Sequence, residues 1–236
     1  MTAPPASTDD LRDGVGGLWA DLLDHAFPRG MAEGRVPMSR FRFYVAQNLC
    51  YLPDYARMLA TAAARSRDDA GLVHFSAALA NIVDVEIPQN REMLADAEKL
   101  AGPCVATDLE PAPATVAYTS WLLAVAARGD ADDIAAALLP CAWSYGEIAT
   151  GLIADSVQHP LYQGWLDFFA APAYAAVVDD LRDAFDRRLS VLPDDARRRA
   201  AETFRTGCRL ERQFWDQARD GAQWPDLTTT RTLEGV

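Results

Sequence analysis

Apolar positions in this chain recur every three or four residues almost from end to end. That spacing lines one face of an α-helix. The first stripe runs from Leu11 to Phe27, behind the Ser7-Thr8-Asp9-Asp10 cluster, whose short oxygen side chains can accept from the free N–H groups of a first turn. Ser39 can cap a second helix that starts near Arg40 and passes through Tyr44, Asn48 and Tyr51 toward Arg65. A third spans Ala70 to Leu100, with an interruption near Pro88. Thr115 to Arg128 follows a Pro-rich stretch and stops at Gly129, and Asp130, Asp132 and Asp133 place negative charge at the start of an Ile134 to Asp155 segment. Pro172 to Leu189 and Asp194 to Asp220 complete the series. Sustained alternation is absent, as are Asn-Gly and Asp-Gly hairpin signals. The expected fold is therefore all-α, a single-domain helical bundle of about seven helices over 11–222. A disordered N-terminal tail is expected over 1–10 and a C-terminal tail over 223–236.

Several polar residues fall on stripes that should be buried. In the last helix the stripe reads Phe204, Gly207/Cys208, Glu211, Phe214/Trp215, Ala218, with Glu211 in its middle. A carboxylate there must be paired, hydrogen-bonded or raised in pKa, because an isolated buried charge is too costly. It belongs either to a functional site or to a structural network with a neighbouring helix. Asn48, Tyr51 and Tyr55 share a face with Tyr44 and could equally be satisfied core groups or the lining of a pocket for a flat ligand. Pro140 sits inside the Ile134 to Asp155 helix. It leaves the Ala136 carbonyl without its usual donor and is expected to bend the helix at Cys141, with Tyr145 one turn on. On the residues alone, Cys141 is packing or chemistry. Glu86 reads as a surface or network carboxylate.

Composition narrows the function classes. Asp and Glu number 34 against 22 Lys and Arg, a formal charge of −12, and no Lys/Arg cluster offers a basic footprint. Nucleic-acid binding is not expected. No contiguous apolar run approaches the ~20 residues of a membrane span, so no membrane association is expected either. "MTAPPASTDD" lacks the basic start and apolar core of a secretory signal. Cys50, Cys104, Cys141 and Cys208 are scattered and lack a C-x-x-C pattern, consistent with reduced thiols in the cytoplasm. His25, His74 and His159 share no helical turn, so no metal and no cofactor is expected.

Five stretches occur in a telling order: "SRFRFYVAQNLCYL", "PATVAYTSWL", "LLPCAWSYGEI", "HPLYQGWLDFF" and "LERQFW". Together, from about Leu18 to Ala218, they resemble the TenA/thiaminase II family. The resemblance implies a haem-oxygenase-like bundle, usually a homotetramer, that hydrolyses aminopyrimidines and in some members thiamin. It places Cys141 at the family's nucleophile and Glu211 at its acid/base carboxylate. Tyr51, Tyr118, Tyr145 and Phe214 take pocket positions. Two departures stand out: Asn48 replaces the usual aspartate that holds the substrate's amino group, and Phe169 replaces a pocket tyrosine.

The expected activity is aminopyrimidine aminohydrolysis in thiamin pyrimidine salvage, through a cysteine thiolate and a carboxyl proton carrier. The alternatives are a divergent hydrolase or lyase acting on another amine or heterocycle, and a non-catalytic pyrimidine-binding protein.

Overall fold

The computed structural model describes residues 3–225, and among them every regular element is helical. The order is α1 (Thr8–Val15), α2 (Gly17–Leu23), α3 (Ala26–Ala32), α4 (Met38–Arg65), α5 (Asp69–Asn81), a π turn (Ile82–Glu86), α6 (Ile87–Ala101), α7 (Pro113–Arg128), α8 (Ala131–Leu152), α9 (Pro160–Phe169), α10 (Pro172–Leu189) and α11 (Asp194–Asp220), with short 3₁₀ turns at Ala106–Leu109 and Ile153–Asp155.

The bundle is all-α as expected, in more pieces than seven. The segment read as one helix from Leu11 to Phe27 is three. Gly16 takes φ 52°, which only glycine adopts cheaply, and ends α1. His25 then restarts the chain as an N-cap, its Nδ1 accepting from the Phe27 N–H at 3.2 Å. The first helix also begins at Thr8, inside the stretch expected to be a tail. There Ser7 and Asp10 cap each other's backbone in a reciprocal box. Of the C-terminal tail, residues 226–236 lie outside the described residues. Helix α9 was not anticipated: Leu161, Tyr162, Trp165, Leu166 and Phe169 have helical spacing, but within only ten residues.

Helices α4, α8 and α11 carry the centre of the core, with Trp165, Trp215, Tyr44, Tyr118, Phe204 and Phe214 fully buried around them. A Phe-sized side chain taken out of water stabilises by roughly 1.5–3 kcal/mol, so this aromatic layer is a large share of the driving force. Both α4 and α8 continue without a break through Pro53 and Pro140. Gly207 lets α11 pack tightly on α8: a Cβ there would stand 2.8 Å from Pro140 Cγ. Gln47 ties α4 to the start of α7. Its amide donates to the Asp108 and Glu110 carbonyls and its oxygen accepts from Ala112 N–H and Thr115 Oγ1.

The helical run Asp69–Ala101 is long and apolar enough, by length and composition, to cross a bilayer. Polar residues interrupt its apolar runs without lowering its average enough to exclude it. It packs on α4 along one side and leaves Leu72, Val73, Val83, Val85 and Leu100 exposed.

Candidate active site

The close α8–α11 contact at Pro140 and Gly207 determines what lies beside it. Cys141 follows Pro140 directly, and Glu211 stands one turn beyond Gly207 on the same face of α11. Tyr51 of α4 and Tyr118 of α7 complete the group. Glu211 and Tyr51 both flank the Cys141 thiol, while Tyr118, Cys141 and Tyr145 surround the Glu211 carboxyl. Cys141 is half-buried.

The polar atoms here are close but not mutually satisfied. Among the described residues, Glu211 Oε2, Tyr51 OH and Tyr118 OH are buried without a hydrogen-bond partner, so the neighbours weigh on one another without forming well-aligned bonds. Such orphaned groups cost free energy and are rare in protein interiors. Three in one place, beside a thiol, mark a site built to bond something else. Aromatic rings wall it: Tyr51 lies 5.0 Å from Tyr118 and 5.6 Å from Phe214, and Tyr145 stacks on Trp215 at 5.0 Å.

Burial dominates the electrostatics. It pushes the Glu211 carboxyl up to about 7, against the opposing pull of Tyr118, Cys141 and Tyr145. It also pushes the Cys141 thiol well above its ordinary value, with the nearby carboxylates Glu211 and Glu86 adding to the rise. At neutral pH the resting cysteine is therefore a thiol, beside a carboxyl poised between its two forms.

Among the residues singled out from sequence, Cys141, Glu211, Tyr51, Tyr118, Tyr145 and Phe214 converge. Asn48 joins through a hub, Tyr44. The Tyr44 hydroxyl accepts from Trp165 Nε1–H at 2.9 Å and Asn48 Nδ2–H at 3.3 Å, and donates to Tyr145 OH at 3.4 Å. Phe169 meets the site at one remove, edge-on to Tyr145 at 4.9 Å.

Of the two readings of Glu86, surface or network, the structure has the second: it is buried, accepts from Asn81 Nδ2 at 3.2 Å, is raised to about 7 by desolvation and lies near enough to act on the Cys141 thiol. The π turn Ile82–Glu86 accounts for this, because an inserted residue shifts the face a side chain occupies, and no 3.6-residue pattern reveals it. Asn90 was missed. Its Nδ2 donates to the Glu86 carbonyl at 2.9 Å, which turns its Oδ1 to accept from Asn48 Nδ2 at 3.1 Å. A backbone carbonyl can only accept, so this relay fixes both amides and leaves Asn48 Oδ1 as the free acceptor. Among the described residues no cluster of His, Cys, Asp and Glu is arranged to hold a metal ion.

The helical bundle that encloses this site is shared with known proteins. A domain from Shewanella denitrificans described as having a heme oxygenase-like fold superposes with a TM-score of 0.69 over 90% of this chain and 92% of that one, at 12% identity, which establishes the fold. The TENA/THI-4/PQQC family model matches residues 12–221, and the chain belongs to that family. An aminopyrimidine aminohydrolase of Halalkalibacterium halodurans is 34% identical over 88% of this chain and 92% of its own length. A TenA homologue from P. horikoshii superposes with a TM-score of 0.80 at 27% identity, covering 91% and 99% of the two chains.

Proposed function

We propose that this chain is an aminopyrimidine aminohydrolase of thiamin salvage, with Cys141 as nucleophile and Glu211 as proton carrier. One observation carries the reading: a thiol, a carboxyl and two unpartnered phenols meet inside a buried aromatic wall. A flat heterocycle with ring nitrogens and an amino group would supply the missing partners. The Asn48 oxygen would accept from its amino group.

In this reading the thiol proton passes to the Glu211 carboxylate as sulfur adds to an electrophilic ring carbon. Glu211 then gives that proton to the departing amine as its carbon–nitrogen bond breaks and a double bond conjugated with the ring forms, and ammonia leaves. Water adds in its place, the carbon–sulfur bond breaks, and the thiol regains its proton. The balance is amine plus water to alcohol plus ammonia. A mere binding protein would need the aromatic wall but not the thiol, so the presence of Cys141 beside Glu211 favours catalysis.

The same reading has the protein in the cytoplasm, where four free thiols would stay reduced. It is a homotetramer by family resemblance, with the exposed apolar residues of α5, the π turn and α6 supporting self-association rather than a bilayer. The charge of −12 supports the absence of a nucleic-acid partner.

Cys141→Ser tests the proposal. Ammonia release from 4-amino-5-aminomethyl-2-methylpyrimidine should fall to background while circular dichroism and pyrimidine binding are retained. A variant that keeps a near-normal rate would remove covalent catalysis from the account.

A further inference from the structure

A cavity of about 340 Å³ lies where the start of α5, the first turns of α8 and the C-terminal half of α10 meet. None of the thiol–carboxylate site's residues lines it. Its inner wall is apolar, formed by Phe75, Leu138, Leu139, Leu181 and Phe185. Its mouth carries Arg67, Arg187 and Arg188 against Asp68 and Asp132. Both carboxylates are already engaged. Asp68 caps α5 by accepting from the Gly71 N–H at 2.8 Å, and Asp132 takes both arms of the Arg188 guanidinium at 2.8 Å. Arg67 leans toward Asp130 at 3.6 Å. Among the described residues Arg187 pairs with no carboxylate.

A concave, apolar space of a few hundred cubic ångströms with a few placed polar groups is the usual form of a small-molecule site. In a chain of net charge −12, an uncommitted arginine over such a space selects a particular chemistry. We propose that this cavity is a second ligand site, for a small organic monoanion with an apolar body, such as a branched-chain or aromatic carboxylate. Its carboxylate would sit on Arg187, with His74 beside it as a further polar group, and its body between Leu138, Leu181 and Phe185. A dianionic phosphate ester fits less well, because Asp68 and Asp132 at the mouth would oppose the second charge. The occupant would rest on the turn of α8 that ends at Pro140 and Cys141, a turn also held by Tyr55, whose hydroxyl donates to the Leu138 carbonyl at 3.2 Å.

The experiment titrates phenylacetate, isovalerate, phenylacetamide and phenyl phosphate into the full chain, followed by ligand-observed NMR and calorimetry. The carboxylates should bind at least about tenfold more tightly than the neutral amide, the scale of a charge-assisted hydrogen bond, and more tightly than the phosphate ester. Arg187→Gln should remove the preference for carboxylate over amide. Ala184→Phe, which fills the cavity from its α10 wall, should abolish binding of all the probes. Phenylacetate should still bind Cys141→Ser saturated with the aminopyrimidine. The inference is overturned if the carboxylates do not bind, if Ala184→Phe binds them unchanged, or if the pyrimidine displaces them, which would make the cavity part of the first site. Should Ala184→Phe not fold, the carboxylate-to-amide ratio in Arg187→Gln decides alone, since that side chain is exposed.

Discussion

At the scale of single residues, the paired acids Cys141 and Glu211 dominate. Burial holds the thiol protonated and puts Glu211 near 7, so under the proposed mechanism the competent resting form would have a carboxylate ready to take the thiol proton. The rate at limiting substrate should therefore rise with pH through about 7. Glu211→Gln keeps the shape but cannot carry a proton. It should lose that limb of the pH–rate profile and roughly 10²–10⁴-fold in rate; an unchanged profile would assign Glu211 to structure. Asn48 behaves less simply than its aspartate counterpart suggests. An Asn48→Asp carboxylate would face the Asn90 oxygen unless Asn90 turned around and gave up its bond to the Glu86 carbonyl. The variant should show a lower thermal midpoint and no gain in ammonia release. A faster enzyme of undiminished stability would show that the amide relay is not holding the acceptor.

At the scale of elements, the site is a product of how closely α8 and α11 can pack. The Pro140 ring and the bare backbone of Gly207 interlock, and Cys141 and Glu211 follow within one turn on either helix. A proline ring cannot rotate away as a flexible side chain would, so Gly207→Ala forces the helices apart. Overpacking of this kind typically costs about 1–3 kcal/mol, and a shift of even an ångström misaligns a proton transfer. Gly207→Ala should therefore lower kcat by about tenfold or more, beyond its effect on the urea midpoint. A variant with full activity would mean that the pair tolerates the displacement. The π turn between α5 and α6 is the other decisive element, because it brings Glu86 into the interior.

For the whole molecule, two buried carboxyls raised to about 7 make stability pH-dependent. In the unfolded chain each titrates near 4.5. Between those values the folded state holds protons that the unfolded state has released, so stability falls as pH rises across the window and levels off above it. The loss is at most about 3 kcal/mol per group. Urea melts from pH 5 to 8 should show the decline, and the Glu86→Gln/Glu211→Gln double variant should flatten it. A pH-independent wild type would place both carboxyls in better-solvated surroundings than the fold implies.

The all-α class, the main helical segments and the stripe bearing Glu211 were legible in the chain, because helical periodicity and capping are local and each is written within a few residues. The family motifs likewise marked Tyr118, Cys141 and Tyr145 in sequence order. Other features were invisible at that range. The breaks at Gly16 and His25 depend on which cap wins, and α9 is too short for its stripe to stand out. The inward face of Glu86 depends on one π insertion. The orientation of Asn48 depends on Asn90, forty-two positions away. Only the packed structure decided these, because side chains far apart in sequence meet through backbone approach and hydrogen-bond direction, and neither leaves a periodic trace in the order of residues.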